Sequence, residues 1–431
     1  MGHKQKDDPE IADLVHSMQH LRRDDPKIAE LAGKEETRLE STLDLIAAEN
    51  HCPRSILEVM GSVFNTKTIE GYPGNRFHAG CEYVDIVENL AVERAKDLFG
   101  AEYANVQPHS GTSANLAVYF SVLDVGDRIL AMSLPHGGHL SHGHKASMTS
   151  KCFKFRHYTV DPGTELIDYD LVRTMALEFR PKMIVAGASS YPRLIDYERM
   201  AAIAEEVSAY LLADAAHIAG LIAGKVIPSP VPHCDFVTFT TYKTMMGGRG
   251  GVILARGKYA KQLDRAVFPG GQGTSAVNPI AAKAVIFKLA ATSGFVRLQQ
   301  KTVENASMMG QCMADKGYLL VTGGTENHQV VVDLKDKNIS GSKAETVLET
   351  AGIVLNRNVV PRDAEKPGRV SGLRIGTGGV TVRGMGEAEM AQIVEWIDRI
   401  LQQPGNQEQS VNVRREVREL CKRFPVYVSN V

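Results

Sequence analysis

Between about residues 55 and 290, short unbroken apolar runs alternate with amphipathic stretches, and few architectures accept that pattern. The runs are RILAMS (128–133), PKMIVAGAS (181–189), AYLLADAA (209–216), CDFVTFTT (234–241) and GGVILA (250–255). Runs without polar alternation read as strands buried on both faces. Helices such as the periodic stretch Tyr197 to Ser208 would cover those faces. The expected fold class is α/β with a mainly parallel sheet, whose ligands sit outside the carboxyl ends of the strands.

The flanks differ. Residues 1–44 are polar, with helical spacing in Ile11, Leu14, Met18 and Leu21. A long helical stretch, Ala284 to Ala314, leads to strand-like QVVVDLK (329–335), GIVLN (352–356) and GLRIGT (372–377). An amphipathic stretch follows over 390–403, and a locally basic one, 411–427, reads as a solvated or subunit-contacting face. The expected division is an N-terminal arm over 1–54, a large cofactor domain over 55–290 and a small C-terminal α+β domain over 291–431. Lys+Arg total 49 against 50 Asp+Glu, a net charge of -1, which argues against nucleic-acid or membrane partners that need excess positive charge. Six scattered cysteines without a CxxC pair fit a reducing compartment. The polar start MGHKQKDDPE does not read as a secretory signal, and a cytoplasmic location is expected.

Several residues could carry chemistry. His136, His139, His142 and His144 form a glycine-broken cluster with no HExxH and no carboxylate at ligand spacing. No metal is expected there; a loop whose imidazoles stack on or hydrogen-bond a ligand is the better reading. His109-Ser110-Gly111-Thr112-Ser113 precedes an apolar helix-like run, so it reads either as an N-cap or as a phosphate cradle. Asp214 closes the run AYLLAD and Lys243 follows CDFVTFTTY, both at expected strand ends. Pyridoxal phosphate (PLP) needs this set: a lysine amine, an acid partner for its ring nitrogen and an anion site. An amino-acid substrate needs its carboxylate held, a task for Arg374, whose plain reading is a salt bridge. Glu70, before a glycine-proline turn, is either solvated or a proton shuttle.

Together these segments resemble serine hydroxymethyltransferase from about residue 40 to 405. The matching motifs are LIAAEN (45–50), EGYPGNR (70–76), GCEYVDIVE (80–88), NVQPHSGTSAN (105–115), LPHGGHLSHG (134–143), DAAHIAG (214–220), TTYKT (240–244), FPGGQG (268–273) and SGLRIGT (371–377). The resemblance implies a fold-type-I PLP-dependent transferase with a seven-stranded sheet, working as a homodimer or homotetramer with sites built from two subunits. It assigns Lys243 as the Schiff-base lysine, Asp214 as the ring-nitrogen partner and His139 as the stacking imidazole. Ser189 and His217 fall near the cofactor's phenolic oxygen. Ser110, Gly111 and Thr112 hold the phosphate, with Gly273 reaching over from the neighbouring subunit. Arg374 binds the substrate carboxylate and Glu70 transfers protons. Leu134, Gly138, Leu140 and Asn358 match positions lining the site of tetrahydrofolate, the co-substrate.

Four positions depart from the family pattern. Tyr242 replaces a His before the lysine, Ala48 a Ser, and Thr68 and His78 each a Tyr. The resemblance implies that all four lie around the amino-acid pocket, where Ala48 and Thr68 would remove volume. The expectation is a hydroxymethyltransferase moving a one-carbon unit between a serine-type amino acid and tetrahydrofolate, with 2-methylserine and D-alanine as the altered pair. The alternatives are ordinary serine/glycine exchange, a folate-independent threonine aldolase or transaldolase, and a non-catalytic scaffold.

Overall fold

The computed structural model describes residues 18–361, 363 and 370–427. Its centre is a seven-stranded sheet. In chain order the strands are β1 (Tyr103–Asn105), β2 (Arg128–Met132), β3 (Lys154–Tyr158), β4 (Met183–Gly187), β5 (Tyr210–Asp214), β6 (Phe236–Thr240) and β7 (Gly251–Ala255). Their spatial order is β1-β7-β6-β5-β4-β2-β3. The β2–β3, β2–β4, β4–β5 and β5–β6 pairs are parallel, whereas β7 runs antiparallel to both neighbours. Strands β4, β6 and β7 are buried at every residue, as their unbroken apolar character requires.

Helices cover both faces. Leu130, Ile184, Ala213, Val237 and Val252 pack into one core with Ala91, Ala95 and Phe287; Ile129, Val185, Leu212 and Phe236 pack into a second with Val118 and Tyr119. Helix starts carry their caps: Asp168 and Asp196 accept backbone N–H groups at the starts of Tyr169–Phe179 and Tyr197–Glu206, each worth about 1 kcal/mol.

A third core lies toward the C-terminus, where β8 (Leu319–Leu320), β9 (Gln329–Asp333), β10 (Asn356–Asn358) and β11 (Gly372–Gly376) form an antiparallel sheet ordered β8-β9-β11-β10. Leu373 and Ile375 pack there with Trp396 and Ile397 of helix Glu387–Gln402. Leu43 joins this core and pairs with Ile353, so the N-terminal segment is stitched to the C-terminal region.

Two expectations need correction. The stretch Ala284 to Ala314 is not one helix but the end of Val277–Ala290 and most of Ser293–Asp315, bent by 85°. Thr292 makes the break by capping the second helix, its side chain accepting from Phe295 N. GIVLN splits as well: Ile353–Val354 pairs with Leu43–Asp44, and Asn356 begins β10 beside Arg374. Ile11 and Leu14 lie outside the described residues; Met18 and Leu21 lie at Gln19–Asp24, a short helix before the longer Pro26–Ser41.

Candidate active site

Asp214 ends β5, in register with Gly187 of β4 and Thr238 of β6. A Cβ on Gly187 would sit 2.5 Å from the Asp214 carbonyl oxygen, so only glycine lets the two strand ends approach this closely. The Asp214 carboxylate accepts from His142 Nε2 (2.9 Å) and Asn115 Nδ2 (2.8 Å) on Oδ2, and from Ala216 N (3.1 Å) on Oδ1. Burial opposes its charge, but the His142 and Asn115 bonds and the imidazoles outweigh it and hold the carboxyl well below its ordinary range.

Lys243 sits in the turn after β6. Thr244 pins that turn, its hydroxyl donating to His217 O and accepting from Gly220 N, both at 2.9 Å. Asn50 Nδ2 donates to Lys243 O at 3.1 Å, and Gln299 Nε2 to Thr244 O at 2.9 Å. Burial pushes the Lys243 amine down to about 8, with Asp214 opposing and Arg374 assisting. A lysine so placed is a far better nucleophile near neutral pH than one in water.

The phosphate cradle begins where Ser110 and Ser113 form a capping box at the start of helix Gly111–Val122. The N–H groups of Gly111 and Thr112 fall in its first turn, where a helix has no internal acceptors. Gly111 is required by close approach: a Cβ there would stand 2.8 Å from Thr240 Cγ2.

Ser110, Gly111, Thr112, His139, Ser189, Asp214, His217 and Lys243 line one cleft. It continues, through the shared walls His139, Ser189, His217, Tyr242 and Lys243, into a wider mouth lined by Ala48, Leu134, Gly138, Leu140, Asn358 and Arg374. His217 is buried with an unpartnered Nδ1, and burial together with the Lys243 and Arg374 charges keeps it neutral. An orphaned imidazole nitrogen beside a primary amine, a carboxylate and free helix N–H groups fits PLP, whose polar groups those atoms would satisfy. Burial lowers His139 to about 4, leaving a neutral ring suited to stacking. Tyr242 carries the Arg249 guanidinium 4.5 Å from its ring centre.

Glu70, Thr68, His78 and Gly273 do not line this cleft in their own chain. Glu70 Oε2 lies 3.3 Å from His78 Nε2 on an accessible face, and Thr68 lines a separate hollow with Arg249 and Thr274. The hairpin between Glu70 and His78 is tied down by the buried Arg76 side chain, which donates to Asp85, Glu88, Ile69 O and Gly71 O.

Of the histidine cluster, His142 proves to be the Asp214 partner, across 72 residues of chain that no local spacing spans. His144 instead accepts from Ala146 N, two residues on, and His136 from the distant Val160 N. His139, His142 and Asp214 bring donor atoms within 4.8 Å of one another, but His142 spends Nε2 on Asp214 and Nδ1 on His139 N.

A family model described as serine hydroxymethyltransferase matches residues 21–397. Proteins named serine hydroxymethyltransferase from Dehalococcoides mccartyi strains BAV1 and CBDB1 are each 50% identical over 394 residues, covering 91% of this chain and 95% of theirs.

Proposed function

The chain belongs to the serine hydroxymethyltransferase family, and from that footing we propose that it exchanges a hydroxymethyl group between serine and tetrahydrofolate, leaving glycine. As a fold-type-I member it is a PLP-dependent hydroxymethyltransferase with tetrahydrofolate as co-substrate. The observation that carries the residue assignment is the continuous cleft, which joins Lys243 and Asp214 at its floor to Arg374 and Leu140 at its mouth.

When bound, PLP supplies an electron-accepting ring. Asp214, held ionised, would keep a proton on the ring nitrogen; Ser189 and His217 would hydrogen-bond the phenolic oxygen, and Ser110, Gly111 and Thr112 would hold the phosphate. Lys243 would supply the amine that anchors the cofactor. Arg374 fixes the substrate carboxylate, leaving the serine side chain directed toward the mouth. There Leu134, Gly138, Leu140 and Asn358 would flank the folate.

A homodimer or homotetramer completes the site in this reading. Phe77, Tyr83 and Ile86 are 73%, 70% and 56% exposed beside Glu70 and His78, an apolar surface that a second copy would cover. Glu70 would then reach the neighbour's cleft as the proton-transfer carboxylate, with Thr68, His78 and Gly273 alongside. Among the described residues no single helix is long and apolar enough to cross a membrane, and a cytoplasmic location is part of the proposal.

One observation favours a second reading. Ala48 lines the same mouth as Arg374 and Lys243, where the family's Ser would add a hydroxyl. The volume left by the missing hydroxyl would admit an α-methyl group, with 2-methylserine and D-alanine as the pair. Comparing kcat/KM for L-serine and 2-methylserine, with and without tetrahydrofolate, decides between them. Serine/glycine exchange predicts that L-serine is the better substrate; turnover confined to 2-methylserine would sink it.

A further inference from the structure

Asn115 lies on helix Gly111–Val122 and is 1% exposed. Its Nδ2 is 2.8 Å from Asp214 Oδ2 and 3.0 Å from Ser141 Oγ, and its Oδ1 is 2.5 Å from Thr238 Oγ1. An ionised carboxylate only accepts, so the amide atom facing Asp214 is the NH2 group, and both of its protons are committed. Thr238, fully buried on β6, donates to Oδ1 and locks that orientation.

The second proton has a consequence for His139. Ser141 Oγ receives it, so the serine's own proton is free for His139 Nδ1, 2.8 Å away. Ser141 N also donates to the same Nδ1 at 3.2 Å. With two donors aimed at Nδ1, the imidazole carries its proton on Nε2. One buried amide therefore secures an acceptor of the carboxylate and the tautomer and tilt of the imidazole.

We propose that Asn115 is a positioning residue of the cofactor site, coupling Asp214 to His139 so that the ring nitrogen's partner and the ring's stacking face are set together. This rests on the reading that PLP occupies the cleft above Asp214. Asn115 touches neither cofactor nor substrate; it acts through the two side chains that do.

The test uses the full-length protein with Asn115→Leu, which keeps volume and removes both donors, and Thr238→Val, which removes only the hydroxyl orienting the amide. PLP affinity of the apoprotein and the pH titration of the bound cofactor's visible absorbance are measured, with thermal melting of the apoproteins to check folding. Losing a hydrogen bond to a charged group corresponds to roughly 10- to 100-fold. N115L is expected to bind PLP weaker by that factor and to shift the absorbance titration. T238V should move both readouts the same way by a smaller amount, and it carries the test if N115L does not fold. Wild-type affinity and an unchanged titration in a folded variant would overturn the proposal. If wild-type protein forms no visible band with PLP, or Lys243→Ala forms the same one, the underlying cofactor reading fails instead, and the proposal with it.

Discussion

Arg374 reaches from β11 to the backbone carbonyl of Ser189, just past the end of β4, with Nη1 2.7 Å from the oxygen. Its Nε also donates to Asn356 Oδ1 at 3.1 Å, and burial lowers the guanidinium to about 10, still charged at neutral pH. The side chain therefore bridges the small antiparallel sheet and the cofactor sheet at the mouth of the cleft, with its charge desolvated and ready for an anion.

That position makes the fork, and not charge alone, the quantity to test. Arg374→Lys keeps a cation but loses the planar pair of donors. The account expects KM for L-serine to rise about 100-fold, the equivalent of roughly 3 kcal/mol, with PLP affinity nearly unchanged. A lysine variant with wild-type KM would place the carboxylate elsewhere.

Ala48 is expected to tune the amino acid without touching the cofactor. Ala48→Ser should raise the preference for L-serine over 2-methylserine about tenfold, the lower end of what one methyl-sized change in a pocket discriminates. The ratio of kcat/KM values is the readout. An unchanged ratio would mean that the wall near Ala48 does not contact the α-carbon.

Lys243 sets a pH dependence for loading the apoenzyme. Its folded value of about 8 lies below the ordinary 10.5, and only the neutral amine attacks an aldehyde. The rate of PLP capture should rise as pH increases through about 8 and level above it. Removing the Asp214 charge, which supports the protonated form, should move the midpoint lower in Asp214→Asn. A midpoint moving upward would contradict the electrostatics described.

Lys283 offers a stability test away from the chemistry. It is 1% exposed beneath the cradle, donating to Val106 O and Pro108 O, and burial lowers it from 10.5 to about 7. Between those values the unfolded chain binds more protons than the folded one, so stability rises with pH and is lost as pH falls toward 7. The slope approaches about 1.4 kcal/mol per pH unit. Lys283→Met should flatten that slope in urea titrations at pH 7.5 and 9, while costing roughly 1–3 kcal/mol for each orphaned carbonyl.

How much of this was legible in the chain follows from physics. Strands β4 to β7 stand out because burial on both faces erases polar alternation, while β3 hides because Lys154 and Arg156 face outward at the sheet edge. Asp214 and Lys243 are legible because a charged residue ending an apolar run needs a reason. The break between Ala290 and Ser293 contains no glycine or proline; only Thr292, a good cap, marks it. Asn115 is invisible for a different reason. Its partners lie 26, 99 and 123 residues away, and no local spacing encodes a contact closed only by the sheet.

The most direct measurement follows the C3 carbon of L-serine, labelled with carbon-13, by NMR in the presence of purified holoenzyme with and without tetrahydrofolate. The account predicts that glycine appears and the label moves to the folate, only when folate is present, and that Lys243→Ala abolishes the transfer. Label that stays in serine, or leaves it at the same rate without folate, would contradict it.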